Sequence, residues 1–127
     1  NNNFDMICCS RFTNNSKKES SFRFNASKYY NFILKPFLSS NISDQLSGFF
    51  LIKKNCLKLL EFNKIFYGYG DFYFRLIYFI NKFNKKIYEF PIIYEERKFG
   101  ISKTKFLDIF FKYTYEAIKF RIFLWLK

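Results

Sequence analysis

The chain has no histidine, only three cysteines and fewer than half as many acids as bases, and each shortage closes off a class of chemistry. Three cysteines without a histidine make no zinc site: Cys8 and Cys9 are neighbours that point to opposite faces of any strand they join, and Cys56 stands alone. An odd cysteine count without framework spacing points to a reducing compartment. No stretch reaches the ~18 consecutive apolar residues of a membrane-spanning helix, so no span is predicted within these residues. Against 10 Asp and Glu stand 22 Lys and Arg, a formal charge of +12. Such a balance suits anionic partners, nucleic acid or a lipid surface. Yet Phe, Ile, Asn, Lys and Tyr are crowded together, as AT-rich coding produces, so neither the charge nor the 21 phenylalanines argue for a function. The aromatic residues mostly follow core periodicity, and no nucleic-acid partner is expected.

What is present reads as alternating strands and helices, hence an α/β architecture, with no internal repeat. At 127 residues the chain is one domain or part of one. The apolar run at residues 4–9 predicts a buried strand, and the polar stretch at 13–21 a loop. Phe22, Ala26, Tyr29, Tyr30, Ile33, Leu34 and Phe37 recur at helical spacing and predict a helix over 23–35, kinked or ended by Pro36. Residues 41–44 are turn-like and 49–52 read as a strand. Asn55 is placed as the cap of a short helix ending at residue 60, and Asp71 as the cap of a helix over 72–81. The aromatic run at 87–94 is a strand that Pro91 assigns to an edge or a bulge. In the last segment Lys105, Asp108, Lys112, Glu116 and Lys119 repeat every three or four residues, which predicts an amphipathic helix. Its broad apolar side either packs on the sheet or brings Phe123, Trp125 and Arg121 to lipid headgroups.

The most informative segment is Arg-Lys-Phe-Gly-Ile-Ser-Lys, residues 97–103. Arg97 offers a planar fork of donors, Lys103 a mobile point charge and Ser102 a hydroxyl, while Gly100 lets backbone N–H groups approach. Such a loop can hold a phosphate from several sides; the plain alternative is a solvated basic loop. Asp44 begins a turn that continues to Ser47 and Gly48, which reads either as an acidic member of a ligand site or as an ordinary Asx-turn before a strand.

Taken in order, Ser10-Arg11-Phe12, Asp44-x-x-Ser47-Gly48-Phe49, Tyr69-Gly70-Asp71-Phe72, Glu89-x-Pro91-Ile92 and Arg97-x-x-Gly100-x-Ser102-Lys103 resemble the motifs of the second half of family 2 glycosyltransferases. The group in question is that of dolichyl-phosphate mannose synthase, which moves a sugar from a nucleotide onto a polyprenyl phosphate. Each motif alone is weak; five in order from Ser10 to Lys103 form a joint signal. Arg23, Ser27 and Asn31 reproduce a further basic-serine-asparagine spacing of the family, after a loop that is shorter or rearranged here. Arg75 departs from the family, which often has an acid near that position, and receives no role.

The resemblance implies the C-terminal portion of a GT-A, Rossmann-like domain: a mixed sheet with flanking helices over residues 1–103, then over 104–127 an amphipathic helix of the kind that can lie at a membrane interface. It implies inverting transfer of a hexose from a donor of the GDP-mannose or UDP-glucose type to a polyprenyl or dolichyl phosphate at the cytoplasmic face of a membrane. It further implies a divalent metal, Mg or Mn, held mainly by an acidic D-x-D motif in a preceding half-domain. That motif is not in this sequence, where the only aspartates before Ser47 are Asp5 and Asp44, and no starting Met is present. The chain is therefore read as a fragment of a longer enzyme, inactive in isolation, with a truncated or decayed gene product as the competing reading. Catalytic roles fall on Asp44, Arg97 and Lys103, and phosphate or acceptor binding on Arg11, Arg23, Ser27, Ser47, Gly48, Gly100 and Ser102. A saccharide acceptor is the alternative. It would need a general base, whereas a phosphate acceptor is already anionic, so the missing histidine is no handicap.

Overall fold

The computed structural model describes residues 3–13, 22–93 and 105–126. Along β1, Met6–Ser10, side chains alternate between buried and half-buried, the two-residue period of a strand with one face on a core. Next come α1 (Phe22–Phe37), β2 (Phe50–Ile52), α2 (Lys54–Leu57), α3 (Phe62–Ile65), α4 (Phe72–Lys82), β3 (Ile87–Pro91) and α5 (Phe106–Trp125). Among the described residues three strands form one mixed sheet in the order β2-β1-β3. β1 is central, antiparallel to β2 with Ile7 opposite Leu51, and parallel to β3 with Ile7 opposite Tyr88. The expected α/β class with a mixed sheet and flanking helices is therefore observed. β3 is an edge of this sheet, and Pro91 sits at its end, opposite Ser10, where its missing N–H does least harm.

Two helices end by the same device. Ser39 (φ 49°) and Asn84 (φ 53°) take left-handed backbone after α1 and α4. Behind α1, Ser39 N–H donates to the Pro36 carbonyl and Ser40 N–H to that of Lys35; behind α4, Asn84 and Lys85 bond back to Asn81 and Ile80 in the same pattern. This is the Schellman arrangement. Pro36 thus lies inside the last turn of α1 instead of ending the helix before it.

Of the two predicted caps, Asn55 is corrected, whereas Asp71 stands at the cap position of α4 without a side-chain cap bond. The short helix runs from Lys54 to Leu57 with extended Lys53 as its cap, so Asn55 lies within its first turn. Lys53 takes that place because its carbonyl receives the N–H groups of Cys56 and Leu57. Asp71 precedes α4 but makes no side-chain cap bond, because Arg75 and the Tyr69 N–H occupy its carboxylate. The short helix α3 had no signal in the sequence reading.

The core is built around α4, whose Tyr73, Phe74, Leu76, Ile77, Phe79 and Ile80 are buried. They pack with Met6 and Cys8 of β1, Tyr30 and Leu34 of α1, and Tyr113, Ala117 and Phe120 of α5. Each such aliphatic or aromatic side chain contributes about 1.5–3 kcal/mol by leaving water. Phe120 meets Tyr78 edge-on, with centroids 5.2 Å apart and planes at 89°, a favoured aromatic geometry. The inner stripe of α5 thus packs as core, while Leu107, Phe111, Tyr115, Ile118, Ile122 and Trp125 on its other side stay exposed. The predicted division at 103/104 falls outside the described residues. On the sheet, the inward positions of β1 are covered, whereas Leu51, Tyr88 and Phe90 on the opposite face are exposed.

Candidate functional site

The C-terminal end of the central strand carries the site. Ser10 ends β1 with its side chain buried, and its hydroxyl accepts the Phe12 N–H at 3.3 Å. Between them, Arg11 turns onto Asp44, which lies in the stretch between α1 and β2. Arg11 Nε and Nη2 reach the two carboxylate oxygens at 2.7 and 2.9 Å, and its backbone N–H donates to Oδ2 at 3.2 Å. This is a bidentate fork with a third bond added, the strongest class of charge-assisted contact. The Asp44 side chain is fully buried; that of Arg11 retains 22% exposure. Two residues singled out separately in the sequence are thus one ion pair.

The backbone on either side of Asp44 is held by side chains from two other elements. Ser43 N–H donates to Glu89 Oε1 of β3 at 2.7 Å, and Gln45 N–H donates to Asn31 Oδ1 of α1 at 2.7 Å. Asn31, fully buried, in turn donates through Nδ2 to the Ser27 carbonyl at 2.9 Å. The Arg23-Ser27-Asn31 spacing, one residue every helical turn, therefore ends in a contact to the Asp44 turn. Ser27 is half-buried and takes part through its carbonyl; Arg23 is exposed in the first turn of α1. Glu89 and Asn31 carry no functional expectation from the sequence, because no local sequence feature pairs either with residues 43–45.

After Asp44 the chain carries orphaned polar atoms. Both amide atoms of the buried Gln45 side chain and Ser47 Oγ find no hydrogen-bond partner among the described residues. Gly48 follows with φ 75° and open space where a Cβ would stand, so its left-handed backbone explains the glycine. The next residue, Phe49, gives its carbonyl to the Cys9 N–H at 2.9 Å and to Tyr73 Oη at 3.4 Å. Beneath the site, burial pushes the Cys8 thiol up to about 11, and the Tyr73 hydroxyl is raised for the same reason. Neither is ionised near neutral pH, so neither acts there as a ready nucleophile.

Arg97, Gly100, Ser102 and Lys103 lie outside the described residues. No helix among the described residues is long and apolar enough to cross a membrane. Nor do the described residues hold a cluster of three His, Cys, Asp or Glu side chains able to take a metal; the Asp44 carboxylate is paired with Arg11.

Arg75 is the second charge the sequence did not place. It is fully buried; its Nη1 meets Asp71 Oδ2 at 2.6 Å, its Nε donates to the Ile65 carbonyl at 2.9 Å, and its Nη2 bonds the Tyr67 carbonyl. The guanidinium stacks 3.7 Å from the Tyr67 ring centroid and lies 3.9 Å from Glu116 of α5. This cluster ties the 65–71 connection to α4 and α5.

Comparison with protein-family models, with curated proteins and with solved structures finds no match to this chain.

Proposed function

We propose that the chain is the acceptor-side portion of a GT-A glycosyltransferase domain that transfers a hexose from a nucleotide-sugar to a polyprenyl phosphate. The observation that carries this reading is the joining of Arg11 and Asp44 at the C-terminal end of the central strand, next to the Ser47-Gly48 turn. In open α/β sheets, ligands bind beyond the carboxyl ends of the strands, and there the motif-bearing stretches at 10–12, 44–49 and 89–92 converge.

In the proposed reaction an acceptor phosphate oxygen forms the new bond to the anomeric carbon as the bond from that carbon to the diphosphate oxygen breaks, inverting the centre. The acceptor oxygen is already anionic, so the work is electrostatic: bringing two anions together and stabilising the charge on the departing diphosphate. Arg11, Arg23, Arg97 and Lys103 supply that charge, and Asp44 is the acidic member. A divalent metal fits no ligand set among the described residues, and no step is assigned to it here. The outer stripe of α5 from Leu107 to Trp125, exposed beside Lys112 and Lys119, suits a lipid surface presenting such an acceptor. Phe123 and Trp125 are exposed as that role requires, whereas Arg121 is half-buried and donates to Ser39 Oγ at 3.5 Å.

The test is transfer of labelled hexose from GDP-mannose or UDP-glucose to dolichyl phosphate by a polypeptide joining this chain to a nucleotide-binding half. Arg97→Ala should lower the rate at least about a hundredfold, the scale for losing a preorganised charge-stabilising donor. Wild-type rates in that variant would sink the phosphate assignment. Lys119→Glu should weaken association with anionic vesicles while the fold is kept.

A further inference from the structure

The bidentate pair sets a condition on any anion that uses Arg11: the fork that would hold a phosphate is already closed on Asp44. One partner must move. Asp44 cannot do so cheaply, because Glu89 fixes the N–H before it and Asn31 the N–H after it, and its side chain is fully buried. Arg11 is the partly exposed member, on the first residue beyond β1, with its guanidinium 5.0 Å from the centroid of the half-buried Phe12 ring. Guanidinium forks fit carboxylate and phosphate with the same geometry, so exchange needs no new shape.

We propose that Arg11 trades the Asp44 carboxylate for a phosphate oxygen of the ligand while Asp44 stays in place. The closed pair is the resting state of the site, and ligand binding opens it. This rests on the reading of Arg11 as a phosphate-binding residue. No covalent bond changes. Exchange leaves a buried carboxylate without its cation, an unfavourable state unless the ligand brings compensation. Asp44 therefore opposes simple anions and disfavours occupation of Arg11 by stray phosphate. The diphosphate of the donor and the monophosphate of a lipid acceptor both present this chemistry to Arg11, and the two arms of the experiment tell them apart.

The experiment is a nuclear magnetic resonance titration of the full chain with inorganic pyrophosphate and, separately, with geranyl monophosphate, following Arg11 Nε–H and Asp44 Cγ. The two signals should move with one midpoint, and the tighter-binding compound identifies the source. Asp44→Asn should tighten binding by about tenfold or more, since a neutral amide competes poorly for a guanidinium, and Arg11→Ala should abolish the response. A shift at Arg11 with Asp44 Cγ unmoved, or weaker binding by Asp44→Asn, overturns the exchange. Should Asp44→Asn not fold, the paired shifts in the unaltered chain decide alone. Binding that survives Arg11→Ala overturns the exchange yet leaves the acceptor reading to residues 97–103; no binding of either compound overturns both.

Discussion

Arg75 and Asp71, one helical turn apart at the start of α4, form an ion pair in which neither side chain has any exposure, with Nη1 2.6 Å from Oδ2. Removing one partner strands the other charge in the core. Arg75→Ala should therefore cost about 3–5 kcal/mol, whereas replacing both residues by apolar ones of similar volume should cost much less. Urea midpoints of the two single variants and the double variant provide the cycle. Equal losses in single and double variants would show that the carbonyls of Ile65 and Tyr67, not Asp71, are what Arg75 serves.

The Asp44 turn gives a second stability contrast. Asn31→Leu leaves the buried Gln45 N–H without its acceptor, a loss of about 1–3 kcal/mol. Glu89→Gln keeps an oxygen for the Ser43 N–H and should be nearly neutral. Thermal unfolding of both variants checks this, and a Glu89→Gln variant as damaged as Asn31→Leu would refute it.

Gly70 stands where an added Cβ would overlap Tyr113 Oη, and Tyr113 is one of the residues that seats α5 in the core. Gly70→Ala should push that ring aside and destabilise the chain by about 1–3 kcal/mol, the range for overpacking. Hydrogen exchange should show α5 opening first. Gly70→Ala combined with Tyr113→Phe, which removes the clashing oxygen, should recover part of the loss.

Alkaline pH should unfold the chain for a named reason. Burial raises Cys8 from 9.0 to about 11 and Tyr113 from 10.0 to about 12, so both acids bind their proton more tightly when folded. Their contribution is complete below the unfolded values and is lost as pH rises through about 11 and then about 12. For Cys8 that rise corresponds to about 2–3 kcal/mol. Urea midpoints should fall steadily above about pH 9, and Cys8→Ala should flatten the first part of that fall. A midpoint independent of pH over this range would contradict the burial argument.

Much of the scaffold was legible because its signals are local. The run at 4–9 anticipated β1, helical spacing anticipated α1 and α5, and Pro91 pointed to an edge or a bulge for β3, of which the sheet order gives the edge. The errors arose where a tertiary partner overrode a local rule. Asp71 has the residue type of a cap, but Arg75 and the Tyr69 N–H claim its carboxylate. Asn55 has the same credentials, but extended Lys53, two residues earlier, accepts the first helical N–H groups and takes the role.

By itself, then, the sequence determined the α/β class, the order of the main elements and the residue types available for holding an anion, since periodicity and turn chemistry act over a few residues. Only the tertiary structure decided that Arg11 and Asp44, 33 residues apart, neutralise each other, that Asn31 and Glu89 brace the turn between them, and that Arg75 is a core residue. Those outcomes depend on which side chains the packed layers bring within hydrogen-bonding distance, about 3 Å, and no local pattern encodes that distance.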